Sequence, residues 1–236
     1  MTFVRFPRTP HLVWLGKGEP RGDKILTPSQ ADELLTHEIV VEEKVDGSNV
    51  GFSVDEKGEL RVQNRGSYVS RENSHPQFKP LFRWLESHRD ALVNVLARDL
   101  VLFGEWCYAV HSVQYRSLPD WFLAFDVLDL KDSVFLSVAR RDEVVNQLDL
   151  EVVPRVATGR FDLSRLVGLL GQSKLGEMPA EGLYIRYDKG DRLVARAKIV
   201  REEFVQNIDS HWSRGPLRTN ALARQRVNDP EHGRRR

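Results

Sequence analysis

The chain has 236 residues, of which 41% are hydrophobic and 29% are charged, a balance typical of a soluble globular protein with one or two domains. No apolar run reaches the roughly 18 residues that a membrane-spanning helix needs, and the first eight residues lack the apolar core of a secretory signal peptide. Cys107 is the only cysteine, which excludes an internal disulfide and a cysteine-based zinc site. We therefore expect a location in the reducing cytoplasm.

Charge is unevenly distributed along the chain, although the net charge is only +1. Residues 195–236 hold ten bases and five acids, a net charge of +5, which leaves −4 on the remaining 194 residues. A basic end on a nearly neutral body is compatible with contact with nucleic acid. The alternative is a solvated tail that only aids solubility, and charge alone does not separate the two interpretations.

Local patterns predict an alternation of hairpins and helices. Thr27 to Gln30 form a capping box with proline at the first helical position, which predicts a helix over Pro28–Leu35. Later in the chain, β-branched runs, turn signals and helical apolar spacing predict a strand over 38–44, a hairpin of 50–54 and 60–63, a helix over 80–97, strands over 100–106 and 121–130, helices over 138–148 and 163–170, and a hairpin of 181–187 and 192–199. This order predicts an α+β fold with largely antiparallel sheets. An irregular tail is expected after about residue 209.

Lys44 stands at the end of a predicted strand, in the run Glu43-Lys44-Val45-Asp46-Gly47-Ser48-Asn49. A strand end holds a side chain rigidly at the rim of a sheet, where ligand pockets form. A lysine there can act as a covalent nucleophile once it has lost its proton, which a neighbouring cation promotes. The alternative is an exposed lysine at an ordinary Asp-Gly turn, and this run by itself does not decide between the two.

Five further short runs follow Lys44 in order, at residues 64–66, 102–106, 122–127, 181–185 and 195–199. Each has an ordinary structural interpretation. Glu105 could be a solvated acid at a strand end, Phe125 a core aromatic residue and Glu181 a turn residue. The ordered set of six runs is much more specific than any one member.

With these runs in order, the chain resembles the covalent nucleotidyltransferase superfamily of ligases and capping enzymes over residues 38–204. Within it, the chain is most similar to the ATP-dependent RNA ligase family, nearest to the phage RNA ligase two type. The resemblance matches residues 44–47 to motif I, Asn49 to an asparagine typical of these RNA ligases, Arg65 to motif Ia, residues 103–105 to motif III, 125–126 to motif IIIa, 181–182 to motif IV and 196–198 to motif V. It implies a nucleotidyltransferase domain of antiparallel sheets with flanking helices.

The resemblance also implies a reaction in three steps, with Mg²⁺ or Mn²⁺ as a required cofactor. Lys44 attacks the α-phosphate of ATP and forms a lysyl-AMP phosphoramidate. The AMP then moves to the 5′-phosphate of an RNA strand, and a 3′-hydroxyl finally displaces it to join the two ends. The expected partner is therefore RNA with 5′-phosphate and 3′-hydroxyl ends.

The side chains implied for this site have suitable chemistry. Arg196 and Lys198 lie two apart on one strand face, where they would act as catalytic cations that hold the α-phosphate oxygens. Phe125 offers a face for adenine, and Asp46 with Glu181 offers oxygen ligands to the metal. The full nucleotide-binding set implied by the resemblance is Glu43, Asp46, Gly47, Asn49, Arg65, Glu105, Phe125, Glu181 and Lys198.

Three of these residues have more specific expected roles. Arg65 suits a forked contact to phosphate or to the incoming strand. Glu105, a hydrogen-bond acceptor, suits the ribose hydroxyls. Gly47 allows a close approach of the backbone.

The chain departs from the family pattern at two places. Motif V of the RNA ligases usually presents two lysines, and Arg196 replaces the first, which keeps the charge and changes the geometry. The 28 or so residues after Asp209 are too few for the OB-fold domain that follows the catalytic domain in DNA ligases and capping enzymes. We therefore predict a ligase domain over residues 1–208, a short basic tail over 209–236 and no OB-fold domain.

Three alternatives to an RNA ligase remain open from the sequence. A ligase for DNA nicks would prefer an all-DNA nick, and a capping-type guanylyltransferase would be labelled from GTP. A degenerate RNA-binding module would form no covalent adduct. We further expect a monomer without membrane association that acts in RNA repair, with an end-healing kinase or phosphatase as a candidate partner.

Overall fold

Two sheets form the frame of the molecule. The computed structural model describes residues 3–17, 24–72, 74–97, 99–206 and 216–223. The strands are β1 Ile39–Lys44, β2 Ser48–Val54, β3 Leu60–Asn64, β4 Leu100–Trp106, β5 Phe122–Asp129, β6 Val134–Phe135, β7 Glu151–Val152, β8 Arg155–Gly159, β9 Gly182–Lys189 and β10 Arg192–Val200. The helices are α1 Pro28–Leu35, α2 Lys79–Leu96, α3 Val138–Gln147, α4 Leu163–Gly168 and α5 Glu202–Gln206, with a 3₁₀ helix at Pro76–Phe78.

The strand order confirms the predicted α+β class. One sheet runs β10-β9-β1-β8, and the other runs β3-β2-β4-β5-β6 with β7 beside β5. The neighbours are antiparallel except for β5 and β7, which are parallel. Both predicted hairpins are confirmed. Gly58 and Gly190 lie in their turns with φ of +80° and +60°, a conformation that glycine adopts without the steric cost of a Cβ.

Each sheet packs against helices through its own apolar cluster. Helix α2 places Leu81, Trp84 and Leu92 against β2 and β4, where Phe52 and Leu102 are fully buried. Helices α1 and α4 contribute Leu34 and Leu166 to a second cluster with Ile39, Val41, Leu183 and Ile185 of the other sheet. None of the helices described here is both long enough and apolar enough to cross a bilayer.

A group of four buried charges, Glu42, Asp126, Arg141 and Arg186, joins the two sheets. We call it the buried charge network. Arg141 of α3 donates to Glu42 of β1 over 2.7 Å, and Arg186 of β9 donates to Asp126 of β5. Both arginines also donate to the carbonyl of Phe125, over 2.9 and 3.0 Å. Charges in such surroundings must be paired, so the network holds β1, β5, β9 and α3 in one arrangement.

Segments near both ends of the chain form hydrogen bonds with β10 or with the loop between β4 and β5. Pro10 and Leu12 flank Lys198 of β10 through the hydrogen bonds Lys198 N to Pro10 O, 2.9 Å, and Leu12 N to Lys198 O, 2.8 Å. Residues 216–223, in the predicted tail, lie on the loop between β4 and β5. Residues 209–215 and 224–236 of that tail lie outside the described residues, and the boundary at 208/209 stays a prediction.

Candidate active site

A cavity of about 630 Å³ surrounds Lys44 and is lined by residues of both sheets, a size in the range of ligand sites. Strand β1 ends at Lys44, and the turn that follows forms one wall. The lining comprises Phe6, Arg8, Thr9, Glu43, Lys44, Val45, Asp46, Gly47, Ser48, Asn49, Asn64, Arg65, His75, Gln77, Phe78, Glu105, His111, Phe125, Val153, Tyr184 and Lys198. Of the predicted site residues, Glu181 and Arg196 are absent from this lining.

Lys44 is paired with Glu181. Lys44 stands opposite Gly182 in the β1–β9 pairing, and its Nζ lies 2.5 Å from Glu181 Oε2. Burial lowers the pKa of Lys44, but the attraction of Glu181 and the hydrogen bond to it outweigh this effect, so the pKa is raised. Lys44 is therefore an ammonium paired with Glu181.

The cavity concentrates carboxyl groups around that one lysine. Burial raises the pKa of Glu105 to about 8; Lys44 lowers it, and Asp46 and Glu181 add to the rise. Burial likewise raises the pKa of Glu181 to about 7 against the effect of Lys44. Each of these acids would release its proton more readily if a cation were added. Mg²⁺ in nucleotide sites is commonly held by one or two carboxylates with phosphate oxygens and water, so the donor set fits such an ion. The described residues contain no cluster of three or more His, Cys, Asp or Glu side chains suited to a metal.

The raised pKa of Glu105 gives a stability test. A carboxyl whose folded-state pKa lies above its unfolded value of 4.5 contributes stability at low pH and loses it as the pH rises towards 8. Glu105→Gln should therefore stabilise the protein relative to wild type, and the gain should be larger at pH 9 than at pH 5. Urea unfolding at both pH values measures it, with the exposed Glu151→Gln as the matched control. An equal difference at the two pH values would contradict the prediction.

Asp46 anchors a loop as well as facing the cavity. Its Oδ2 accepts hydrogen bonds from Ser112 N at 2.6 Å and Val113 N at 2.9 Å, and its own N–H donates to Tyr115 Oη at 2.7 Å. The sequence predicted a metal ligand here and gave no sign of this contact, because the partners lie more than 60 residues away in the chain. Whether Asp46 also binds metal stays a prediction.

Asn49 and Gly47 fit a site that is built for a ligand. Asn49 pairs with Glu105 across β2 and β4, and its Oδ1 is buried without a hydrogen-bond partner among the described residues. A buried acceptor of this kind is costly unless a ligand satisfies it. A Cβ at Gly47 would lie 2.7 Å from Trp106 O, so glycine lets this turn pack against the end of β4, and its part in nucleotide binding stays a prediction.

Phe125 forms an aromatic wall of the cavity. Its ring meets that of Phe6 edge-on at 5.1 Å between centroids, and the buried charge network holds its carbonyl. Arg65 enters the cavity from the turn after β3, where Asn64 Oδ1 accepts hydrogen bonds from Gly66 N and Ser67 N. A stacking face and a cation therefore stand in one cavity with Lys44.

Lys198 and Arg196 are separated in the structure. Lys198 lines the cavity, whereas Arg196 donates to Asp126 Oδ2 at 2.9 Å and stacks over Phe6 and Phe135 at 4.8 and 4.1 Å. A planar guanidinium suits this stacked position in a way that an ammonium does not. The structure therefore does not place the Arg196 side chain beside Lys198 in the cavity, where the two cations were expected to hold one phosphate together.

Glu43 was predicted to bind the nucleotide, but hydrogen bonds hold its carboxyl group elsewhere. The N-terminal segment was not predicted in the site, but it lines the cavity. Glu43 touches the cavity, but its carboxylate accepts hydrogen bonds from Ser173 Oγ at 2.5 Å and Lys174 N at 2.9 Å. The sequence missed Arg8 and Thr9, which line the cavity from the segment beside β10. That segment precedes the motifs and has neither helical nor alternating periodicity, so no local signal marked it. His75, Gln77 and His111 also line the cavity and were missed because they lie between the matched motifs, outside every predicted strand and helix.

Comparison with known proteins finds a matching family model and similar solved structures. A family model described as RNA ligase matches residues 37–200. No curated protein sequence gives a match. The fold is similar to that of a lysine-to-alanine variant of Naegleria gruberi RNA ligase with ATP and Mn, with a TM-score of 0.66, 17% identity and coverage of 87% of this chain and 58% of that one.

Other structures of the same Naegleria gruberi protein agree. The ligase with PPi gives a TM-score of 0.60 at 17% identity, covering 88% of this chain and 61% of that one. A glutamate-to-alanine variant with AMP and Mn gives 0.61 at 17% identity, covering 86% and 57%. The chain thus spans less than two thirds of the length of these structures, and the likeness shows a shared fold.

Proposed function

The chain belongs to the RNA ligase family, and on that premise we propose that it is an ATP-dependent RNA ligase that joins a 5′-phosphate to a 3′-hydroxyl. The observation that carries the proposal is the placement of Lys44 Nζ beside Glu181 in a cavity that also holds Phe125, Arg65 and Lys198. A nucleophile, a proton acceptor, an aromatic face and cations for phosphate are the groups that nucleotidyl transfer needs.

In the first proposed step, the Lys44 nitrogen attacks the α-phosphorus of ATP. A new N–P bond forms, the bond from the α-phosphorus to the bridging oxygen breaks, and pyrophosphate leaves with its electron pair. The ammonium must first lose a proton, and Glu181, at 2.5 Å and with a pKa of about 7, is positioned to take it. Lys198 would neutralise charge on the α-phosphate.

The other residues bind and orient the nucleotide in this proposal. Phe125 stacks on adenine, Glu105 accepts from the ribose, and Asn49 Oδ1, which has no partner in the described part of the chain, accepts from a ligand donor. Asp46 and the ionised form of Glu181 are the proposed holders of Mg²⁺ or Mn²⁺, which would supply charge neutralisation for the phosphates when bound. Glu181 would take the Lys44 proton only while it does not hold the metal.

Two further transfers complete the proposed reaction. The 5′-phosphate of RNA displaces Lys44 from the adenylate phosphorus, which gives an RNA-adenylate and frees the lysine. A 3′-hydroxyl then attacks the 5′-phosphorus of that strand, the phosphodiester forms, and AMP leaves.

Labelling with α-labelled ATP tests the proposal. Wild-type protein incubated with Mg²⁺ should carry a label that survives denaturing electrophoresis, because a phosphoramidate is covalent. Labelled GTP and an all-DNA nick serve as alternative substrates. Preferred labelling from GTP would favour a capping-type enzyme, preferred sealing of DNA would favour a DNA ligase, and no adduct would favour an RNA-binding module.

The proposed adenine contact predicts a loss of ATP affinity in Phe125→Ala. Removing the stacking face should weaken ATP binding by about 1–3 kcal/mol, the usual cost of losing a base–aromatic stack. Phe125→Tyr keeps the ring and should bind ATP nearly as wild type does. Calorimetric titration of ATP measures both variants. Equal affinity in wild type and Phe125→Ala would show that this ring is a core residue only.

A further inference from the structure

Residues 216–223 lie against the loop that connects β4 to β5, which we call the 107–118 loop. Five backbone hydrogen bonds join the two: Val110 N to Arg218 O, Asn220 N to Tyr108 O, Ala221 N to Tyr115 O, Leu118 N to Ala221 O and Ala223 N to Leu118 O. Most side chains of this segment are exposed, whereas Asn220 is only 4% exposed. A buried polar side chain in an exposed segment calls for a specific explanation.

The Asn220 amide satisfies backbone groups from both arms of the 107–118 loop. Its Nδ2 donates to Cys107 O at 2.7 Å and to Ala109 O at 3.2 Å. Its Oδ1 accepts from Tyr115 N at 2.8 Å. An amide carries two donors and an acceptor in one plane, so it can hold two carbonyls and one N–H at once. Aspartate lacks the donors, and leucine lacks both kinds of group.

The other side of the same loop is bound to the turn after Lys44. Tyr115 Oη accepts from Asp46 N, and Asp46 Oδ2 accepts from Ser112 N and Val113 N. Tyr115 is fully buried and thus links the two sets of contacts, with Asn220 on its backbone and Asp46 on its hydroxyl. Asp46 lies two residues from the nucleophile, and the loop also brings His111 into the cavity lining.

We propose that Asn220 is a positioning residue for the active site: it holds the 107–118 loop in the conformation that fixes Asp46 and thereby Lys44. The inference rests on the proposed function for the reaction that it serves. Positioning residues affect the rate because a displacement of about 1 Å at a reacting group can lower it roughly a hundredfold.

The rate of lysine adenylylation tests this role in the full-length protein. At saturating α-labelled ATP and Mg²⁺, Asn220→Ala should form the Lys44 adduct about 10–100-fold more slowly than wild type, with a smaller change in the ATP concentration for half-maximal rate. The matched control is Leu222→Ala, an exposed position of the same segment, which should react near the wild-type rate. Asn220→Ser keeps one donor and one acceptor, and should be intermediate. If Asn220→Ala does not fold, the rate of Asn220→Ser is compared with that of the wild type instead.

A double-mutant cycle separates positioning from simple loss of stability. Tyr115→Phe removes the hydroxyl that accepts from Asp46 N and keeps the backbone N–H that Asn220 binds. If Asn220 acts through this link, its loss should cost much less in the Tyr115→Phe background, because coupled residues are not additive. Additive losses in rate, or a wild-type rate in Asn220→Ala, would overturn the inference.

Amide exchange gives a measurement that does not depend on activity. In Asn220→Ala the amides of Ser112 and Val113, which Asp46 binds, should exchange faster, while those of β4 and β5 keep their protection. Unchanged exchange at Ser112 and Val113 would overturn the inference even if the variant were slow. A wild-type protein that forms no adduct would instead overturn the proposed function, and the amides would still report whether Asn220 holds the Asp46 contact.

Discussion

Lys44→Ala should abolish the labelled adduct formed from α-labelled ATP. The alanine side chain is not a nucleophile, and Glu181 loses the amine that it contacts at 2.5 Å. The expected result is loss of label to background on a denaturing gel, compared with full labelling of Lys57→Ala, whose lysine lies exposed in the β2–β3 turn. An undiminished adduct in Lys44→Ala would refute the assignment of Lys44 as the nucleophile.

The same variant distinguishes the first step of the proposed reaction from the last. A pre-adenylylated RNA already carries the activated phosphate, and its sealing needs no lysine nucleophile. Lys44→Ala should therefore still join such a strand to a 3′-hydroxyl. Failure with both ATP and pre-adenylylated RNA would mean that the substitution damages the whole site, and the adduct result would then need a more conservative variant such as Lys44→Arg.

Asp126→Ala should cost about 3–5 kcal/mol in the free energy of unfolding, the usual penalty for removing one partner of a buried ion pair. Asp126 is fully buried and accepts from Arg186 and Arg196. Its loss leaves the buried Arg186 with only the more distant Asp188 carboxylate, at 4.0 Å, and weakens the contact between the sheets. Phe125 would also be held less firmly, since Arg186, which donates to the carbonyl of that residue, loses its main partner.

A second Asp–Arg pair in the same protein is the control. Asp132 accepts from Arg192 at 2.8 Å, and both side chains are more than half exposed, so Asp132→Ala should cost only about 0–1 kcal/mol. Urea unfolding of the two variants and the wild type measures the difference. Equal losses would show that the buried charge network contributes no more than a surface pair.

The elements that the sequence predicted well are those with local causes. The capping box at Thr27 defines the start of α1, and Gly58 and Gly190 mark the two hairpin turns. Helix α2 begins and ends within a residue of its prediction because its apolar residues repeat at helical spacing. Strand β8 was missed, since its residues are mostly polar or only half-buried and its partner β1 lies more than 100 residues earlier.

Much of the site depends on contacts that no local pattern reveals. The motif order led to Lys44 and Glu181 as parts of one site, and the structure places them in contact. The side chain of Arg196 could not be placed from its position on the strand, because Asp126 and two aromatic rings from other elements decide its direction. Asn220 contacts groups more than 100 residues away, and an asparagine in a polar segment carries no signal of burial.

The single cysteine of this protein is shielded at the centre of these contacts. Cys107 is fully buried, its carbonyl is bound by Asn220, and burial raises the pKa of its thiol well above the usual value. Since the thiolate is the reactive form, maleimides and similar reagents should leave the native protein unlabelled. A cysteine introduced at an exposed position such as Val194 would then take a fluorophore selectively, without prior removal of Cys107. Any slow labelling of Cys107 itself would report opening of the buried apolar cluster that it forms with Val45, Tyr115 and Leu123.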